Sequence, residues 1–184
     1  MFKIGLIAII GLGCLTVVWF TISIGISPMP SSAKAKRAML QASEAADDGP
    51  IIDLGCGWGG VLFGLARKYP ERQVIGYELS WLPWLYAYLY KSLCRLDNVE
   101  IHRQNFLIAD ISEASLLVCY LFPQAMIDMQ KKLAEEKCAN TLLISNTFAL
   151  PAYEASKIMR LNDLYKSPIY IYSGFQNPEY KSMR

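Results

Sequence analysis

An open α/β sheet with helices on both faces, preceded by one transmembrane helix, is expected of this chain from three features of its 184 residues. A short β-branched run, Pro50 to Leu54, is stopped by glycines at 55, 57, 59 and 60 and followed by helical spacing from Val61 to Lys68. A second short strand, Gln73 to Glu78, ends in a carboxylate roughly 20 positions beyond the first glycines. Ile4 to Ile26 carries no charged residue and is long enough to cross a bilayer core as a helix.

Strand, glycine turn and helix together put bare backbone N–H groups at a helix N-terminus, where a ligand can touch them. A Cβ at those positions would block both the tight turn and the approaching ligand. In βαβ nucleotide folds, the acid ending the second strand accepts hydrogen bonds from both ribose hydroxyls, which is the role expected of Glu78. The turn reads Asp53-x-Gly55-x-Gly57-x-Gly59 in place of the G-x-G-x-x-G of dinucleotide enzymes. It resembles the first motif of class I S-adenosylmethionine (SAM)-dependent methyltransferases, whose cofactor has an amino-acid tail and no pyrophosphate. The resemblance implies a Rossmann-like sheet and a SAM site drawn from Asp53, Gly55, Cys56, Gly57, Gly59, Glu78 and Leu79. A dinucleotide site and a purely structural glycine turn are the competing readings.

Hydrophobic residues make up 53% of the chain, and the uncharged N-terminal run explains much of that excess. Thirteen residues from Ile4 to Ile26 are Leu, Ile, Val or Phe. At roughly −0.3 to −0.6 kcal/mol each, they outweigh the glycines, threonines and serine among them. A cleaved signal peptide is the alternative, but its apolar core is normally about 7–15 residues long. Residues 1–27 are therefore read as an anchor, 28–49 as linker and pre-core helix, and 50–184 as the catalytic domain. Lys34, Lys36 and Arg37 outnumber Lys3 and the α-amino group, which places that domain on the cytoplasmic side, where SAM is made. Cysteines at 14, 56, 94, 119 and 138 form no C-x-x-C pair, so reduced core residues are expected in place of disulfides or a metal site. Beyond the anchor, seventeen Lys/Arg (all of the eighteen but Lys3) interleave with sixteen Asp/Glu. That pattern has no electrostatic footprint for nucleic acid.

In chain order, Ser27 to Ser32 contains Pro28 and Pro30 and forms a stiff linker. Ala33 to Ala46 has helical composition and is expected beside the cofactor pocket, or on lipid headgroups through Lys34, Lys36 and Arg37. The helix after the glycine turn runs to about Tyr69, where Pro70 stops it. Ser80 is expected to cap the next helix, with Pro83 in its first turn. Trp81, Trp84, Leu85, Tyr86, Tyr88, Leu89 and Tyr90 lie on that helix. Packing against the sheet is one reading of them, and a membrane interface is the other. Asn98 to His102 is the third strand, and the sole histidine is read as structural. Ser115 to Phe122 is the fourth, entering a turn at Pro123 that should face the transferable methyl group. Gln124 to Lys137 reads as helix, Thr141 to Phe148 as the fifth strand, and Ile169 to Tyr172 as a last, antiparallel strand. Ala152 to Leu164 is polar and weakly patterned, and no element is assigned to it.

Many class I methyltransferases place an acid or amide after the third strand to meet the adenine amino group, with an apolar neighbour against the ring. The resemblance puts Asn105 and Phe106 in those roles. Tyr120 and Pro123 are the candidate catalytic residues, Tyr120 as an aromatic wall for a desolvated amine, with core packing as its competing role. The anchor, Pro28-Met29-Pro30, Asp53-Leu54-Gly55-Cys56-Gly57, Gly76-Tyr77-Glu78-Leu79, Tyr120-Leu121-Phe122-Pro123 and Phe148-Ala149-Leu150-Pro151 occur in that order. The set is similar to small membrane-anchored methyltransferases related to mitochondrial protein-lysine N-methyltransferases, which act on the c-ring proteolipid of ATP synthase and on the adenine nucleotide translocase. The resemblance implies a lysine acceptor in a membrane protein. A methyltransferase of a small or lipid-like substrate and a non-catalytic SAM-binding membrane module are the alternatives. Trp58 departs from the acidic or small residue usual at its point in the turn.

Overall fold

Seven strands form one sheet in the order β3-β2-β1-β4-β5-β7-β6. They are β1 (Ile51–Leu54), β2 (Val74–Tyr77), β3 (Val99–His102), β4 (Leu116–Cys119), β5 (Leu142–Asn146), β6 (Lys157–Arg160) and β7 (Pro168–Tyr172). The neighbours among β1 to β5 pair in parallel, whereas β7 is antiparallel to both β5 and β6. This is a computed structural model, described for residues 30–136, 138 and 140–175. The expected anchor, Ile4 to Ile26, lies outside the described residues, among which no helix is long and apolar enough to cross a membrane.

Alternation along the central strands feeds two cores. Ile51, Leu116 and Ile144 bury into one, and Ile52, Leu117 and Leu143 into the other. The first core is covered by α1 (Ala33–Ala42) and α2 (Leu62–Lys68), through Ala35, Ala38, Met39, Leu62 and Leu65. The second is covered by α4 (Pro123–Glu135), through Met126, Met129 and Leu133. Helices therefore flank both faces, as expected.

α1 begins at Ser32, whose hydroxyl accepts the Ala35 N–H at 3.1 Å. Its Lys36 and Leu40 side chains lie over Gly60 and Gly64, which puts this helix beside the glycine turn.

Three expectations need correction. The remaining helix, α3 (Trp81–Cys94), buries only Pro83 and Ala87, so Trp81, Tyr86 and Tyr88 do not pack on the sheet. Ser80 stands at its N-cap, but the hydroxyl makes no capping bond; the backbone N–H is used instead, by Glu78. The third concerns Ala152 to Leu164, which contains β6. Among the described residues this edge strand pairs only with β7, and it is mostly exposed on both faces, so burial imposes no apolar period on it.

Candidate functional site

The sheet order reverses between β1 and β4, and the glycine turn leaves β1 at that switch point, where open α/β sheets bind ligands. Gly55, Gly57 and Gly59 all have left-handed backbones, with φ of +73°, +55° and +77°. Only glycine takes that conformation repeatedly at little cost. Their surroundings differ. A Cβ on Gly55 would lie 3.1 Å from Leu121, one on Gly59 would lie 2.3 Å from the Phe63 ring, and one on Gly57 would meet nothing within 4 Å. Gly59 is thus a packing glycine, and the free space of the turn opens above Gly57. Gly59→Ala is expected to cost about 2–3 kcal/mol of stability, from overpacking and backbone strain together, read as a lower urea midpoint.

Two carboxylates frame this turn. Glu78 follows β2 and is buried; its Oε2 accepts the Gly57 N–H at 2.8 Å and its Oε1 the Ser80 N–H at 2.7 Å. It therefore fixes the turn on one side and the start of α3 on the other, while each oxygen keeps a second lone pair for a ligand hydroxyl. Asp53 is in β1, 4% exposed, opposite Gly76 of β2 and Val118 of β4. Its Oδ2 has no hydrogen-bond partner. Burial pushes this carboxyl up to about 7, opposed by the Leu62 backbone N–H and aided by the nearby Glu78 charge. An orphaned buried carboxylate oxygen is a place for a cationic group, and the ammonium of an amino-acid tail fits it.

Cys56 continues the ladder between β1 and β2 through its N–H to the Tyr77 carbonyl at 2.9 Å. Its thiol is buried, which, with the charges of Asp53 and Glu78, pushes it well above its ordinary value and keeps it protonated. Gly76 lets the turn settle onto β2: a Cβ there would be 2.9 Å from both Cys56 and Leu62.

On the far side of Glu78, Leu79 is 48% exposed, an apolar surface free to meet a ligand ring. Asn105 caps a short 3-10 turn, Phe106–Ile108, its Oδ1 accepting the Leu107 N–H at 3.0 Å. Its amide NH₂ remains as a donor, and Phe106 is half-buried beside it. Sequence reasoning missed the device beneath this turn. Lys132 of α4 is buried, donates to the Leu107 carbonyl at 3.1 Å and pairs with Glu136, whose other oxygen accepts the Ile111 N–H at 2.8 Å. Residues 107–111 are thereby pinned to α4. Lys132→Met is expected to lower stability by about 1–2 kcal/mol, the Glu136 side retaining some solvent, and to raise the KM for cofactor several-fold. Denaturant titration and initial rates check the two parts. The only sequence signal was Lys and Glu four apart on a helix, which ordinarily marks a solvated face.

The loop after β4 carries Tyr120, half-buried, and Pro123, exposed as the first residue of α4. Leu121 brings this loop against Gly55. The Tyr120 ring stacks on Phe148, with centroids 6.4 Å apart and planes 19° from parallel. Phe148 is held there by a tight turn in which its N–H reaches the Asn146 carbonyl at 2.8 Å around Thr147, whose φ is +70°. A β-branched residue in that conformation is strained, and such strain gathers at functional sites. His102 stacks on Tyr77, with Nε2 3.4 Å from Glu100. A cavity of about 300 Å³ opens at the amino ends of the strands, between Ala46, Thr141 and Gly174, away from all these groups.

Comparison with known proteins gives this geometry its family. The ANTKMT methyltransferase domain family matches residues 53–157. A protein-lysine N-methyltransferase of Saccharolobus islandicus is 23% identical over 141 residues, covering 73% of this chain and 84% of the relative. A human lysine N-methyltransferase named for an ATP synthase subunit is 31% identical over 109 residues, covering 56% of this chain and only 44% of the relative. In fold, the chain is similar to an RNA methyltransferase of Salinibacter ruber crystallised with S-adenosyl-L-homocysteine, with a TM-score of 0.73, 23% identity, and 82% and 97% of the two chains covered. The free space over Gly57, the two framing acids and the orphaned Asp53 oxygen all suit SAM. The chain thus belongs to the ANTKMT methyltransferase domain family and is a SAM-dependent methyltransferase.

Proposed function

We propose that this chain is a membrane-anchored protein-lysine N-methyltransferase whose acceptor is a lysine of a membrane protein. The stacked Tyr120–Phe148 pair at the carboxyl ends of β4 and β5 carries the reading. The names of the two lysine methyltransferase relatives support it.

When bound, SAM supplies a methyl group on a sulfonium, open to in-line displacement by an amine lone pair. Asp53 would hold the ammonium of its tail, Glu78 the ribose hydroxyls, and Leu79, Asn105 and Phe106 the adenine. The glycine turn contributes bare N–H groups and closeness. A lysine amine must be neutral to attack, which near pH 7 costs roughly 4–5 kcal/mol from its usual value. Aromatic walls that strip water from the amine offset part of this, and their π faces also hold the methylated ammonium product. Tyr120 and Phe148 supply such walls, and Pro123 fixes where the loop meets α4. The uncharged run from Ile4 to Ile26 would hold the enzyme, as a single-pass protein with its catalytic domain on the cytoplasmic side, near a bilayer-embedded target.

Incubating the full chain with radiolabelled SAM and membranes from its own source tests this. Label on lysine in a protein band, located by mass spectrometry, is the expected result. Label confined to extractable lipid would shift the acceptor to a lipid-like molecule, and binding without transfer would remove the enzyme reading.

A further inference from the structure

α3 is inverted relative to a helix packed on a sheet. Its two buried residues, Pro83 and Ala87, are small; Tyr90 packs against the first core and Trp84 donates to the Ile101 carbonyl, but the other aromatic side chains of the helix are exposed. At about 100° per residue, Trp81, Tyr88, Leu89 and Leu93 lie on the side opposite that pair, exposed by 46, 47, 51 and 83%, and Tyr86, 47% exposed, stands at its edge. Ser92 is the polar residue among them, and its hydroxyl donates back to the Tyr88 carbonyl at 3.1 Å, so its donor is satisfied within the helix. Aromatic side chains of about 150–250 Å² apiece, half of each uncovered, make a patch of several hundred Å², large for a surface with no partner.

Two further observations say what covers it. No acid occurs from Leu79 to Leu96, while Lys91 and Arg95 border the face. An apolar face with Trp and Tyr, flanked by cations, is the composition of a helix lying in the headgroup region of an anionic membrane. The uncharged run Ile4 to Ile26 is the other, since only six residues, Ser27 to Ser32, separate it from α1.

We infer that the outward face of α3 docks on a lipid bilayer, at the boundary between headgroups and acyl chains; this rests on the anchored reading above. Tyr86 also meets the Trp58 indole edge-on, with centroids 5.4 Å apart. The docked face therefore ends at the glycine turn, and Trp58 joins it. The anchor holds the enzyme at the membrane, whereas this face would fix its orientation there.

The test uses the full chain in phosphatidylcholine vesicles with a minority of phosphatidylglycerol, in a Cys14→Ser, Cys94→Ser background. A nitroxide is attached at Leu89→Cys, at Leu93→Cys or, for comparison, at Glu154→Cys, which is exposed on the loop before β6. The ratio of collisions with oxygen to those with a water-soluble nickel chelate is expected to be several-fold higher at 89 and 93 than at 154. Equal ratios in a chain that the vesicles retain would overturn the docking while anchoring stands. A chain that does not associate with vesicles overturns both. Low collision rates with both reagents, accompanied by spin–spin broadening, would make a second copy the occupant and overturn the lipid assignment.

Discussion

Glu78→Ala is expected to weaken SAM binding about 100-fold, near 3 kcal/mol, because one carboxylate performs two tasks. It receives Gly57 and Ser80 backbone N–H groups inside the protein, and on the reading proposed above its remaining lone pairs would take the ribose hydroxyls. Alanine removes the ribose acceptor and leaves both N–H groups without their partner. Glutamine is not a conservative exchange here. Its single carbonyl oxygen can serve one N–H, but its NH₂ then points at the other, donor against donor. Glu78→Gln is therefore expected to lose affinity nearly as far as alanine does, with a lower urea midpoint as well. Calorimetric titration of both variants with SAM checks the affinities.

Asp53→Asn is expected to separate stability from function. The folded carboxyl titrates near 7 against an ordinary value of 3.8, so the native protein holds a proton that the unfolded chain releases between those values. Stability is thus highest below the unfolded value and falls as pH rises to about 7, by up to roughly 4 kcal/mol. Asparagine has no charge to bury, so at pH near 8 the variant should be more stable than the wild type by about 2–4 kcal/mol, with the pH slope gone. SAM affinity moves the other way. On the proposed reading the ligand ammonium pairs with the charged form of Asp53, so wild-type affinity should drop by up to tenfold for each unit below about pH 7. The Asn variant should bind weakly, by about tenfold or more, and without that acid limb. Denaturation and calorimetry across this pH range measure both halves. Gain of stability with loss of binding is the pattern of a buried group kept for its ligand.

The glycine turn was legible because its chemistry is local. A strand stopped at Leu54, alternate glycines, and an acid at the end of the next strand specify backbone shape and ligand contact with few alternatives. The central parallel strands β1, β2, β4 and β5 were legible for a related reason, since burial on both faces yields short, largely apolar runs such as Leu116–Cys119. β6 was not, because an exposed edge strand has no core to impose a pattern on it. The α3 aromatic side chains show the limit of periodicity. Helical spacing identified a helix, but a helix apolar almost all round does not say which side is buried, and here the small Pro83 and Ala87 face the core. Lys132 and the Thr147 turn depend on contacts between segments far apart in the chain, or on a backbone angle that residue type disfavours. The first leaves only a Lys–Glu spacing that ordinarily marks a solvated face, and the second leaves no mark in a single sequence.

Hydrogen–deuterium exchange of the full chain, with and without SAM, tests most directly whether the turn after β1 and the acid after β2 hold the cofactor. Slower exchange on SAM addition is expected at the amides of residues 55–59 and 78–80, and it should disappear in Glu78→Ala. Unchanged exchange in both segments while SAM is bound, with protection appearing elsewhere, would contradict the account.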